Sequence, residues 1–75
     1  MVKNHDFNAE YAKKNIRAHA ILAGYRDMKE LAKDAGINYS MFLHRLNGRN
    51  EWKLVECRVI SKLLKIPIQE LFFKD

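Results

Sequence analysis

One cysteine, one proline and three glycines occur in the 75 residues of this chain, and each scarcity excludes something. Cys57 can form no internal disulfide and has no second cysteine to share a zinc site, which points to a reducing interior. No apolar run approaches the roughly 20 residues of a membrane span. The segment Met1–Asn8 is polar and carries no signal-peptide pattern. Strand-type alternation of β-branched residues is absent throughout. No Ser-His-Asp, paired-carboxylate or phosphate-loop signature is found, and His5 and His19 lack partners at ligand or catalytic spacing. An enzyme is therefore not expected, nor any cofactor or metal. What is present is basic and apolar: 14 Lys and Arg against 9 Asp and Glu give a charge of +5, with 48% hydrophobic residues. That is too apolar for a disordered basic tail. A chain this short buries about 60% of its unfolded surface, too little for a deep active site with a separate binding domain. The expectation is a single small domain over residues 1–75, soluble and cytoplasmic, with residues 1–7 as a flexible arm.

The few glycines and the proline fall where helices should stop. Gly24, Gly36 and Gly48 are twelve residues apart without an underlying repeat, and Pro67 follows the last long apolar stretch. Glycine enters the left-handed region without steric cost and so terminates helices. Five helices follow. The first spans about Asn8 to Ala23, with Ala12, Ile16, Ala20 and Ala23 at helical spacing, although Ile21 and Leu22 sit off that stripe. Asp27 and Glu30 have the spacing of a capping box and open the second, which turns Leu31, Ala32 and Ala35 inward. Asn38 caps a third from Tyr39 to Asn47. A fourth carries Cys57, Ile60 and Leu64 on one stripe, where a buried core cysteine is the expectation. A short fifth follows Pro67, with Ile68, Leu71 and Phe72 as its apolar side. Trp52 is read as a lid over the core.

The stretch Met28–Leu46, MKELAKDAGINYSMFLHRL, carries the functional signal. It places two short helices around a turn of about three residues, with small Ala32 inside the first so that the second can cross closely. Gly36 supplies the left-handed residue, Ile37 plugs the joint and Phe42 anchors the second helix. This resembles the helix-turn-helix of the Cro and phage-repressor family. The resemblance continues through Leu46-Asn47-Gly48-Arg49, Trp52 and VISKLLKIPIQELFF, which looks like small phage regulators. It covers about 60 residues, Ile16 to Phe73. It implies an all-α, compact five-helix lambda-repressor-like domain that binds operator DNA as a transcriptional regulator of phage or prophage type. One departure is Arg45, where family members usually have an apolar side chain. Its stem can lie over Phe42 or Leu46 while the guanidinium reaches out.

Charge agrees: no Asp or Glu occurs from Ala35 to Asn50, where carboxylates would repel phosphates. With Phe42 and Leu46 buried, the third helix presents Tyr39, Ser40, Leu43 and His44 to the major groove. Ser40 can give or take a hydrogen bond at a base edge, and Tyr39 can do so or pack on a thymine methyl. Leu43 offers only an apolar contact, and His44 can read a guanine or touch a phosphate. The expected phosphate contacts are Met28 through its free backbone N–H, Lys29, Arg45, Asn47, Arg49 and Asn50. Arg17 is a further candidate, but in this family the same Arg often pairs with the Glu of the second helix, here Glu30.

A module of this size buries roughly 600–1,000 Å² on DNA, so a homodimer on paired half-sites is expected. Leu71, Phe72 and Phe73 are the expected interface, because adjacent Phe72 and Phe73 point about 100° apart and cannot both face one core. The opposing reading folds Phe73 back over Trp52 or the first helix. Two other functions stay open: an antirepressor-like modulator that binds a partner regulator protein, and an antitoxin-type autorepressor.

Overall fold

The structure, a computed structural model, describes residues 6–74. It is all-α, with five helices: α1 (Ala9–Leu22), α2 (Met28–Ala35), α3 (Tyr39–Leu46), α4 (Leu54–Leu64) and α5 (Ile68–Phe72). Two strands of two residues each are added at the chain ends, without the alternation that marks a strand in sequence. β1 (Asp6–Phe7) and β2 (Phe73–Lys74) pair antiparallel, with Phe7 opposite Phe73. Residues 6 and 7 of the expected arm are thereby tied down, and residues 1–5 of it lie outside the described residues.

Local chemistry sets the helix starts. Asn8 is extended, and its side chain accepts the Tyr11 N–H at 2.9 Å to open α1. Asp27 accepts the Glu30 N–H at 3.0 Å to open α2, as its spacing predicts. The return half of that capping box reaches one residue further than expected. The Glu30 carboxylate takes the backbone N–H of Arg26 at 2.7 Å and the Arg26 Nε at 3.1 Å, not the Asp27 N–H. These bonds, the backbone one first, hold the Glu30 carboxyl below its ordinary pKa. Asn38 accepts from the N–H groups of Ser40 and Met41 at the head of α3. At α4 the N-cap is Lys53, which has no acceptor; the Glu56 side chain alone closes that end by accepting the Lys53 N–H at 2.9 Å.

The helix ends are equally explicit. Gly36 ends α2 at φ 73°, and the Ile37 N–H reaches back to the Ala32 carbonyl at 2.9 Å. α3 is eight residues long and stops at Leu46, so Asn47 is its C-cap and not its last turn. Gly48 needs its glycine twice over. It sits at φ 82°, and a Cβ there would lie 3.0 Å from the Ala9 side chain. Lys65 ends α4 at φ 60°, taking the left-handed position that glycine fills elsewhere.

One cluster fills the interior. Ala12, Ile16 and Ala20 face it from α1, Leu31 and Ala32 from α2, Phe42 and Leu46 from α3, and Cys57, Ile60 and Leu64 from α4. Ala23 is not part of the α1 stripe but its exposed C-cap, and Ile21 and Leu22 are 67% and 80% exposed. Trp52, in the α3–α4 turn, lies between two rings edge-on: Phe42 at 5.4 Å and Phe72 at 5.5 Å. The lid expected at Trp52 is present, at the cost of a buried indole N–H with no acceptor among the described residues.

The expected dimer seam on α5 is corrected by this packing. Leu71 and Phe72 are both fully buried within the monomer. The two phenylalanines do point apart, but each finds its own partner in the chain. Phe72 meets Trp52, and Phe73, half-buried, meets Phe7 edge-on at 6.3 Å. The second aromatic surface is thus covered by β1, which the helical spacing of α5 could not reveal.

Two outcomes test the packing. Phe42→Ala removes the ring that joins α3 to Trp52 and should cost about 3–5 kcal/mol, read as a lower urea midpoint at unchanged slope. Burial first, then the Glu56 charge, pushes the Cys57 thiol up to about 11. A disulfide reagent at about pH 8 should therefore leave Cys57 unmodified in the folded protein and react promptly once urea unfolds it.

Candidate nucleic-acid interface

The pair α2–α3 is the part of the fold that could enter a groove. Gly36 and Ile37 make the joint, and half-buried Ile37 packs against the core while Asn38, exposed, restarts the helix. Because Phe42 and Leu46 are buried to within 1% of full burial, the rotation of α3 about its axis is fixed. The outward face then follows from 100° per residue. Tyr39 and Ser40 are exposed at its N-terminal half, while Leu43 and His44 are half-buried beside them. Met41 is also exposed, at 45%, on the flank of the same surface.

The flanking polar groups divide into two sets. Lys29, Asn47, Arg49 and Asn50 are all exposed. The last two sit on a turn held tightly to the helix, because the Arg49 and Asn50 N–H groups both donate to the His44 carbonyl, at 2.8 and 3.3 Å. Their side chains are thus presented from a rigid backbone immediately beyond α3. Lys29 and Lys33 line a groove that Tyr39 closes at the α2–α3 joint. Lys33 was not among the residues singled out from the sequence. Its signal was available: it lies one helical turn after Lys29 on the face opposite Leu31 and Ala32.

Arg45 requires correction. Arg45 is only 4% exposed, and its guanidinium does not reach out to solvent. It turns inward to the first turn of α4, where Nε lies 2.8 Å from Oε1 of Glu56 in a close ion pair not aligned as a hydrogen bond. A second nitrogen donates to the Met41 carbonyl at 3.5 Å. Arg45 is three residues from Phe42 and next to Leu46, on the buried side of α3, and that spacing could have flagged it. Glu56 is the residue the sequence reasoning missed, because nothing local links it to position 45. The Met28 side chain is buried in the core, so only the backbone N–H at the start of α2 remains for a contact. Arg17, exposed, does not take Glu30, whose partner is Arg26. At the far end of α2 the Tyr25 hydroxyl donates to Asp34 at 2.9 Å, and burial, then that bond, raises its pKa.

Among the described residues no helix is long and apolar enough to cross a membrane, and no group of three or more His, Cys, Asp or Glu could hold a metal ion. Comparison with protein-family models, curated proteins and solved structures finds no match to this chain. The reading of this surface therefore rests on its residues and their placement.

The inward Arg45 gives a direct test. Glu56→Ala strands a buried guanidinium and should cost about 3–5 kcal/mol, whereas joint replacement by Arg45→Met and Glu56→Gln, whose amide oxygen can still accept the Lys53 N–H, should recover most of that loss. Thermal and urea unfolding of the three proteins would measure it. A double variant no more stable than Glu56→Ala would show that a stranded guanidinium is not the source of the loss.

Proposed function

We propose that this chain is a sequence-specific DNA-binding transcriptional regulator of the Cro and phage-repressor type, acting by occupying an operator. The observation that carries the reading is the α2–turn–α3 unit. It presents Tyr39 and Ser40 outward from a short helix whose rotation is locked, inside a sixteen-residue stretch free of Asp and Glu. A helix without carboxylates of its own can approach phosphates, and a locked rotation is what base readout requires.

In this mechanism α3 enters the major groove. Tyr39 and Ser40 meet base edges first, with His44 and Leu43 behind them. Lys29, Asn47, Arg49 and Asn50 meet the backbone on either side, and the Met28 N–H adds a donor at the start of α2. These contacts set register and affinity, while the α3 side chains set sequence preference. Two copies on paired half-sites supply the discrimination that one small module lacks. Their contact does not involve Leu71 or Phe72, which the monomer buries. No cofactor and no chemistry are needed.

A second reading has one observation in its favour. Met41 is 45% exposed on the flank of α3, an apolar side chain better suited to a protein than to a phosphate backbone. In that version the same surface sequesters another regulator protein.

Selection of bound sites from random duplex DNA at about 150 mM salt separates the two. Recovery of a palindromic motif is expected, and no enrichment would overturn the DNA reading in favour of the protein-binding one. Tyr39→Ala and Ser40→Ala should each relax preference at a particular base pair by about 1–3 kcal/mol. Arg49→Ala should weaken all duplexes alike and reduce the slope of log K against log salt by about 0.9, as loss of one phosphate contact requires. Binding isotherms across a salt series would show an unchanged slope if Arg49 were only a solvated charge.

A further inference from the structure

We infer that the outer face of α4 is a docking surface for an acidic, amphipathic segment of a partner protein. The inference is independent of the DNA reading, because none of its residues belongs to α2, α3 or the turn after them.

The face begins with an anomaly of burial. Leu54 and Val55, at the start of α4, are 65% and 62% exposed, although the helix has an inward stripe of Cys57, Ile60 and Leu64 to satisfy the core. Val55 continues outward into Arg58, Val59 and Lys62, the i, i+3, i+4, i+7 spacing of a second face on the same helix. With Ser61 and Ile68, these four residues line one open groove along α4 towards α5. Val59 and Ile68 are half-buried and form its floor, while Arg58 and Lys62 are exposed. Ser61 has no free hydroxyl hydrogen to offer, since it donates to the Ile66 carbonyl at 2.6 Å. The ionic chemistry of the groove is therefore two cations beside branched aliphatic side chains, with no carboxylate in its lining.

That charge selects the occupant. A second copy placed across a two-fold axis would bring Arg58 and Lys62 against their own equivalents, with no acid in the groove to offset them. Duplex DNA could use the two cations but not Val55, Val59 and Ile68. A helical segment with apolar anchors one turn apart, flanked by Asp or Glu, satisfies both parts of the groove at once.

The test is a selection from displayed random peptides of about four helical turns, using the full chain as bait. Each enriched peptide is then synthesised and titrated against the wild type and two exposed-surface variants. These are Leu54→Ser with Val55→Ser, and Arg58→Glu with Lys62→Glu, each checked for unchanged circular dichroism. The expected result is enrichment of apolar residues at helical spacing with an excess of Asp and Glu. Affinity should fall by about tenfold or more in both variants, as loss of anchors or of charge complementarity requires. Amide shifts should fall on residues 54–62 and 68 and leave 39–44 unmoved. No enrichment, enrichment without acidic bias, equal affinity for the variants or shifts centred on α3 would each overturn the proposal. So would wild-type self-association in sedimentation that Leu54→Ser with Val55→Ser abolishes, since that would make a second copy the occupant.

Discussion

An eight-residue helix is too short to persist by its own hydrogen bonds, and α3 is eight residues long. Its existence and its orientation therefore depend on what its inner face touches. Phe42 is the centre of that contact. Its ring meets Trp52 edge-on, and Trp52 meets Phe72 in turn, so one chain of aromatics ties α3 to the following turn and to α5. Leu46, buried beside it, prevents α3 from rolling. Every outward residue, from Tyr39 to Asn47, takes its position from this inward anchoring. Exposure at Ser40 is thus a consequence of burial at Phe42 and Leu46, whereas Tyr39, three residues before Phe42, is exposed at the first position of the helix. A fault in the aromatic chain would be felt at the opposite surface.

Much of this was legible in the sequence because it is written in short-range chemistry. Asp27 three residues before Glu30, Asn38 before an apolar repeat, and Gly36 and Gly48 past helix ends all act within one turn of themselves. Apolar spacing gave the inward residues of α1, α2 and α4 for the same reason. What could not be read depends on segments distant in the chain. Phe73 has its ring covered by Phe7, 66 positions earlier, through a strand pair of two residues on each side. No periodicity announces so short a strand. From α5 alone, Phe72 and Phe73 looked like one core residue and one surface residue, and the inference to an exposed seam failed at that step.

Arg45 illustrates a different limit. Its position on the buried side of α3 was visible, but side-chain length allowed two outcomes, a snorkelling guanidinium or an inward one. The decision was made by Glu56, eleven residues away. The inward outcome also changes the electrostatic reading of the acid-free stretch. Its charge is matched internally, so the positive surface around α3 comes from Arg49 and from Lys29 and Lys33 on α2, not from α3 itself. Arg49 and these two lysines lie at the flanks, where phosphates would lie, while the face of the helix itself carries no ion left unpaired for base edges to meet.

Glu56 carries two obligations that explain why an ion pair is tolerated in so small a core. Lys53 cannot cap α4, so one Glu56 oxygen accepts the Lys53 N–H at 2.9 Å. The same oxygen lies 2.8 Å from Arg45 Nε. An apolar residue at position 56 would fill the space against α3 but leave the start of α4 without a side-chain acceptor. An apolar residue at position 45 would leave a half-buried carboxylate facing no cation. Each residue is retained by the need of the other, and the first turn of α4 is thereby fixed against the middle of α3. The turn between them, which carries Asn47, Arg49 and Asn50, is held at both ends by that contact. Its side chains are presented at a set distance from Tyr39 and Ser40, which is the condition for backbone contacts to determine the register in which bases are read.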